Sequence, residues 1–122
     1  PAARGMATRT EVRSVDVSAN PYLAIAGILR AGLDGINHNC KHFKPVYDDL
    51  YTMSAENRKK KGTESFSANL KEAMDGFLAD PLMQEAVGSN VTEKLIDAKK
   101  KEWDDFRRSV TDWEIKRYIE LY

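Results

Sequence analysis

Three residues near the start of the chain carry the clearest chemistry: Arg9, Glu11 and Arg13. Their alternate spacing puts the three side chains on one face of an extended segment, about 6.6 Å apart at a rise of about 3.3 Å per residue. A carboxylate oxygen is a natural ligand for magnesium or manganese. Each guanidinium offers a planar fork to a carboxylate or a phosphate. The row therefore suits a site that handles a hard cation and anions together. On spacing alone, Arg-x-Glu-x-Arg equally describes an exposed strand face with loose ion pairs, which add little stability.

Other groupings are weaker. His38, Cys40 and His42 could converge on a metal, but a structural zinc site takes four ligands. The chain has no further Cys or His, so a polar loop is the plainer reading. Cys40 has histidines nearby but no third group to orient a nucleophile. Gly27, Gly32 and Gly35 form no phosphate-loop fingerprint. The basic runs at 58–61 and 99–101 lie near acids (Glu56 and Glu64; Asp97, Glu102, Asp104 and Asp105) and read as solvated surface.

The row needs elements to hold it. Residues 8–13 read as a short strand, with Thr8, Thr10 and Val12 on the face opposite the charged trio. A turn-like link follows at 16–20. Asn20-Pro21 starts a helix, since Asn caps orphan amides and Pro has no amide to lose at the first position. From 22 to about 36 that helix is apolar nearly all round, which predicts burial on every side. A chain of 122 residues can hardly surround it, so its neighbours are expected in sequence outside this chain. Residues 37–45 read as loop, as does most of 47–67, with a helical turn near Ser54.

Asn69 and Glu72 resemble a capping box before a helix whose stripe is Leu70, Ala73, Met74, Phe77 and Leu78. Asp80-Pro81 opens the next helix and Gly88 closes it. Asn90 and Glu93 open a longer one, with Val91, Leu95, Ala98, Trp103, Phe106 and Val110 roughly at helical spacing. Thr111 and Glu114 form a full capping box for the last helix. There Ile115, Tyr118, Ile119 and Tyr122 share one side while Trp113 and Leu121 point elsewhere, so this segment is expected to dock between two surfaces. The fold expected is mainly α: one N-terminal strand followed by about five helices. The chain divides into strand and link at 1–17, buried helix at 18–36, loop region at 37–67 and helical tail at 68–122.

Composition narrows the classes. Lys plus Arg and Asp plus Glu each number 19, and 42% of residues are hydrophobic, which argues against disorder. Balanced charge disfavours a nucleic-acid binder. Cys40 alone excludes an intramolecular disulfide and suits a reducing compartment. The most apolar window, 22–33, contains Arg30 and falls short of the about 20 residues a membrane span needs. No secretory signal opens the chain, and its start at Pro1 without Met reads as truncation. If the charged row were plain surface, a small helical protein-interaction module without catalysis would remain.

The run from Arg9 to Ser14, then Ser18-Ala19-Asn20-Pro21-Tyr22-Leu23-Ala24 and Ala31-Gly32-Leu33-Asp34-Gly35-Ile36, closely resembles the C-terminal part of glutamine synthetases. Pro1 to Gly5, Glu102-Trp103, Trp113 and Tyr122 resemble the Gram-positive bacterial type. The first 36 residues carry the resemblance in letters and the remainder in pattern. It implies an α+β catalytic domain of which this is the C-terminal portion. It implies a ligase that joins ammonia to glutamate through a glutamyl phosphate, with ATP as co-substrate and Mg2+ or Mn2+ as cofactor. Glu11 then resembles a metal ligand, Arg13 the residue that binds substrate glutamate, and Arg9 an arginine near the ATP phosphates. Glu102 resembles a glutamate of feedback control. Tyr51 aligns with a tyrosine that enterobacterial relatives adenylylate, a control not expected of the Gram-positive type. Met6 stands where some relatives have an ATP-contacting lysine. The family also implies a cytoplasmic homo-oligomer, a double hexameric ring joined through the C-terminal helix, with neither nucleic acid nor membrane as partner. The isolated chain is expected to be inactive, because one carboxylate cannot hold a catalytic magnesium.

Overall fold

The computed structural model describes residues 5, 11–41, 44–63, 65–119 and 121. Among these the chain is mainly helical, with six helices rather than about five. They are α1 (Pro21–Asn37), α2 (Ala55–Lys60), α3 (Leu70–Ala79), α4 (Pro81–Val87), α5 (Ser89–Phe106) and α6 (Asp112–Tyr118). The helical turn expected near Ser54 is α2, capped by the Ser54 hydroxyl, which accepts from the Asn57 amide at 3.3 Å. No strand occurs among the described residues. Of the strand expected at 8–13, residues 8–10 lie outside them, and 11–13 run as coil with no neighbouring strand to take their backbone bonds.

Local capping chemistry starts most of these helices. Asn20 Oδ1 accepts from the amides of Tyr22 at 2.9 Å and Leu23 at 3.3 Å, with Pro21 at the first helical position. Asp80 does the same for α4, taking the amides of Leu82 and Met83 at 2.9 and 3.2 Å. Asn69 takes the Glu72 amide at 2.9 Å, while the Glu72 carboxylate reaches back to the Ala68 amide, one residue before the cap. Thr111 and Glu114 complete the expected box: Glu114 N–H donates to Thr111 Oγ1 at 3.3 Å and Thr111 N–H to Glu114 Oε2 at 2.7 Å.

α5 departs from expectation. It starts at Ser89, with Gly88 as its N-cap, rather than through Asn90 and Glu93, and no side chain caps it. Gly88 also closes α4, and its φ of 82° with ψ of 152° suits a residue without Cβ. The buried face of α5 carries Thr92 and Ile96. Val91, Phe106 and Val110 are exposed, and Val110 lies beyond the helix end. Burial follows where α3 and α4 sit, which spacing within one helix does not reveal.

The core is small. Met74 of α3 and Ile96 of α5 are buried to 6% exposure, joined by Thr92. α4 packs on α1, α3 and α5, and α3 packs on α5. Gly27 lets α1 close on α4, since a Cβ there would stand 3.3 Å from Met83 Sδ. Arg30 clamps the pair by donating from Nη2 to Glu85 Oε2 at 2.7 Å. The rest of α1 is uncovered: none of its residues is buried, and Ile25, Leu29, Leu33 and Ile36 are more than half exposed. Among the described residues, α2 and α6 pack on no other helix. None of the helices is long and apolar enough to cross a membrane.

Candidate functional site

Glu11 and Arg13 meet in solvent. Arg13 Nε donates to Glu11 Oε1 at 2.6 Å, and the two side chains are 83% and 54% exposed. They therefore project to the same side of the backbone, as alternate residues of an extended segment do. Arg9, the third member of the row, lies outside the described residues.

The link to α1 is more ordered than a plain connector. Asp16 Oδ1 accepts from both the amide and the hydroxyl of Ser18, at 2.7 and 2.5 Å. The Ala19 amide closes the turn on the Asp16 carbonyl at 3.1 Å. The Ser18 hydroxyl first, and then its amide, hold the Asp16 carboxyl below the usual aspartate range. Asn20 caps α1 immediately afterwards, so row, turn and helix follow without a break. The turn-like link expected at 16–20 is therefore a turn, locked by a side chain. The Asp-x-Ser spacing was the available signal for a side-chain-locked turn.

Glu11 fits a hard cation in chemistry but not in number. Its carboxylate is solvent-accessible and offers oxygen, yet magnesium demands near-octahedral oxygen ligation. Among the described residues no group of three His, Cys, Asp or Glu could hold a metal ion. Glu11 can thus be one contributor to a shared site.

The histidine and cysteine cluster turns out to be a helix terminus in its described part. Cys40 N–H donates to the Gly35 carbonyl at 2.9 Å and Asn39 N–H to the Ile36 carbonyl at 3.2 Å, with Asn39 at φ 50°. That is a Schellman cap with Asn in the left-handed position. His38 Nδ1 lies 3.0 Å from the Asp34 carbonyl oxygen and 3.2 Å from its carboxylate. Cys40 is free and exposed, and His42 lies outside the described residues.

Glu102 is an exposed acid on α5, paired with Lys99 at 2.6 Å. It rims an open depression of about 400 Å³ lined also by Leu70, Trp103 and Phe106. Tyr51 is 99% exposed, in a turn closed by its amide on Asp49 Oδ1 at 2.9 Å. Met6 lies outside the described residues.

Comparison with known proteins gives one consistent family. The family model described as "Glutamine synthetase, catalytic domain" matches residues 1–118. A glutamine synthetase of Methanocaldococcus jannaschii is 47% identical over 119 residues, covering 98% of this chain and 26% of the relative. One from Thermotoga maritima is 44% identical over 121 residues, covering 99% and 28%. One from Staphylococcus aureus is 39% identical over 122 residues, covering 100% and 27%. The chain spans about a quarter of the length of these relatives. With the family match running from the charged row through α6, the chain belongs to the glutamine synthetase catalytic-domain family.

Proposed function

We propose that the chain is the C-terminal portion of a glutamine synthetase of the Gram-positive bacterial type, and that the full-length protein ligates ammonia to glutamate at the expense of ATP. The observation that carries this reading is Glu11 and Arg13 joined side by side in solvent, within a chain that matches the family over 1–118. In the intact domain, residues 8–13 pair with further strands, and the row Arg9, Glu11, Arg13 faces a cleft.

Arg13 would bind the substrate's carboxylate through its guanidinium fork, which fixes glutamate's orientation. Its present partner is the Glu11 carboxylate, a group of the same chemistry as the one it would bind, and this supports the assignment. Glu11 would contribute one oxygen to a Mg2+ or Mn2+ site completed by residues outside this chain. A divalent ion there supplies charge neutralisation for phosphoryl transfer. Arg9 would face the ATP phosphates and stabilise negative charge that builds during transfer. Phosphate passes from ATP to the glutamate side-chain carboxylate, and ammonia then attacks the acyl carbon as phosphate leaves.

Glu102 would serve feedback control from the rim of the α3–α5 depression. The proposed assembly is a cytoplasmic double hexameric ring, with α6 reaching the opposite ring. The exposure of Trp113 at 65%, Tyr118 at 49% and Ile119 at 71%, with no helix packed on α6 among the described residues, supports that role. The substrate assignment is tested by Arg13→Ala in the full-length protein. The Michaelis constant for glutamate should rise by about ten-fold or more, because a charge-assisted fork is lost. An unchanged constant would remove Arg13 from the substrate site.

A further inference from the structure

We infer that Asp16 is a positioning residue, whose turn with Ser18 sets the Glu11–Arg13 row against the start of α1; the inference rests on the roles proposed for that row. Three stretches meet here with very different anchoring. α1 is fixed to α4 by the Gly27–Met83 approach and the Arg30–Glu85 pair. Its first turn is fixed in turn by Asn20. Among the described residues the row has no such hold: the hydrogen bond formed by the Glu11 and Arg13 side chains joins them to each other.

Everything between the two is a short exposed link, and backbone freedom there would pass directly into the position of the row. Asp16 removes that freedom. One carboxylate oxygen takes both Ser18 donors, and the Ala19 amide ties back to the Asp16 carbonyl. The link from 16 to 20 thus becomes one unit with α1, leaving only 14 and 15 between it and Arg13. Groups that grip a substrate and an ion must hold their geometry to well under an ångström. A solvent-exposed pair cannot do that unaided, since its geometry competes with water and side-chain entropy.

The test uses the full-length protein with Asp16→Ala, Asp16→Asn and Ser18→Ala. Two readouts are taken: steady-state glutamine formation against glutamate, and Mn2+ binding followed by the electron paramagnetic resonance of free Mn2+. Asp16→Ala should raise the Michaelis constant for glutamate and the Mn2+ dissociation constant by about five- to ten-fold, with kcat within about two-fold, as expected for two lost hydrogen bonds. Asp16→Asn should restore both constants, because its amide oxygen accepts from the same donors. Ser18→Ala should fall between, since only the hydroxyl donor is gone.

The inference is overturned if Asp16→Ala moves neither constant, or lowers kcat alone as a smaller folded fraction would. It is also overturned if Asp16→Asn behaves like Asp16→Ala, which would make the charge rather than the turn the active element. Glu11→Gln in the same series separates the two levels. Should Glu11→Gln keep wild-type activity and Mn2+ affinity, the proposed roles themselves fail. Should it lose both while Asp16→Ala stays wild-type, only the positioning inference fails.

Discussion

An exposed ion pair such as Glu11–Arg13 contributes little to folding, because water screens it and two long side chains must be ordered to form it. In the proposed reading, its value lies in presenting a hard oxygen and a guanidinium fork together. This much was legible from the alternation of residue types, since period-two spacing is a backbone property. The Asp16–Ser18 bonds are as local, and the Asp-x-Ser spacing is their signal, but a turn-like link does not by itself name the side chain that locks it. A second carboxylate offers a pH test. Glu114 is held below the ordinary glutamate range chiefly by the Thr111 amide and then by its hydroxyl. A depressed carboxylate stabilises the folded form above its unfolded pKa and loses that contribution as pH falls through its folded value. The start of α6 should therefore fray as pH falls below the ordinary glutamate pKa of about 4.3, seen as loss of helical 13Cα shifts at 112–115. Glu114→Gln should abolish that pH-linked step. An identical step in the variant would exclude Glu114 as its source.

At the scale of elements, helix starts capped by one side chain were readable, as was the glycine that ends α4, but a start made by backbone alone was not. Asn20, Asp80 and Thr111 announce their helices because the capping atom lies within a few residues of the amide it satisfies. The α4–α5 junction has no such side chain and relies on Gly88, so the reading placed the α5 start at Asn90 and Glu93. The Schellman cap at Asn39 was likewise hidden in a string that resembled metal ligands. Burial was the other blind spot: periodicity named Val91 and Val110 on α5, but its partners cover Thr92 and Ile96. Gly88→Ala should be destabilising by about 1–3 kcal/mol, the cost of a non-glycine residue in this backbone region. No atom lies within 4 Å of the Cβ it would add, so the penalty would be conformational rather than steric. Thermal unfolding that matches wild type would contradict the assigned strain.

As a whole molecule, the chain exposes 11211 Å² at 13.8 kDa. A compact monomer of that mass exposes about 6,600 Å² by the usual surface scaling. The excess agrees with an α1 that is apolar nearly all round yet buries no residue, and with α6 free of other helices among the described residues. The all-round apolar pattern was legible in sequence; what covers it was not, because the chain spans about a quarter of its relatives' length. The isolated chain should associate with itself through this apolar surface, shown by a sedimentation coefficient that rises with concentration over the micromolar range. A single compact monomer at all concentrations would contradict that expectation. It should also form no glutamine from ATP, glutamate and ammonia, since Glu11 alone cannot complete a divalent-ion site.

The most direct measurement is the metal dependence of glutamine formation by the full-length protein carrying Glu11→Gln. The amide keeps the size of the side chain and removes the charge of the proposed ligand. Turnover at saturating glutamate should fall by about a hundred-fold or more, with a higher Mn2+ concentration needed for half-activation. Wild-type turnover with an unshifted Mn2+ requirement would contradict the assignment of Glu11 to the metal, and with it the reading of the charged row.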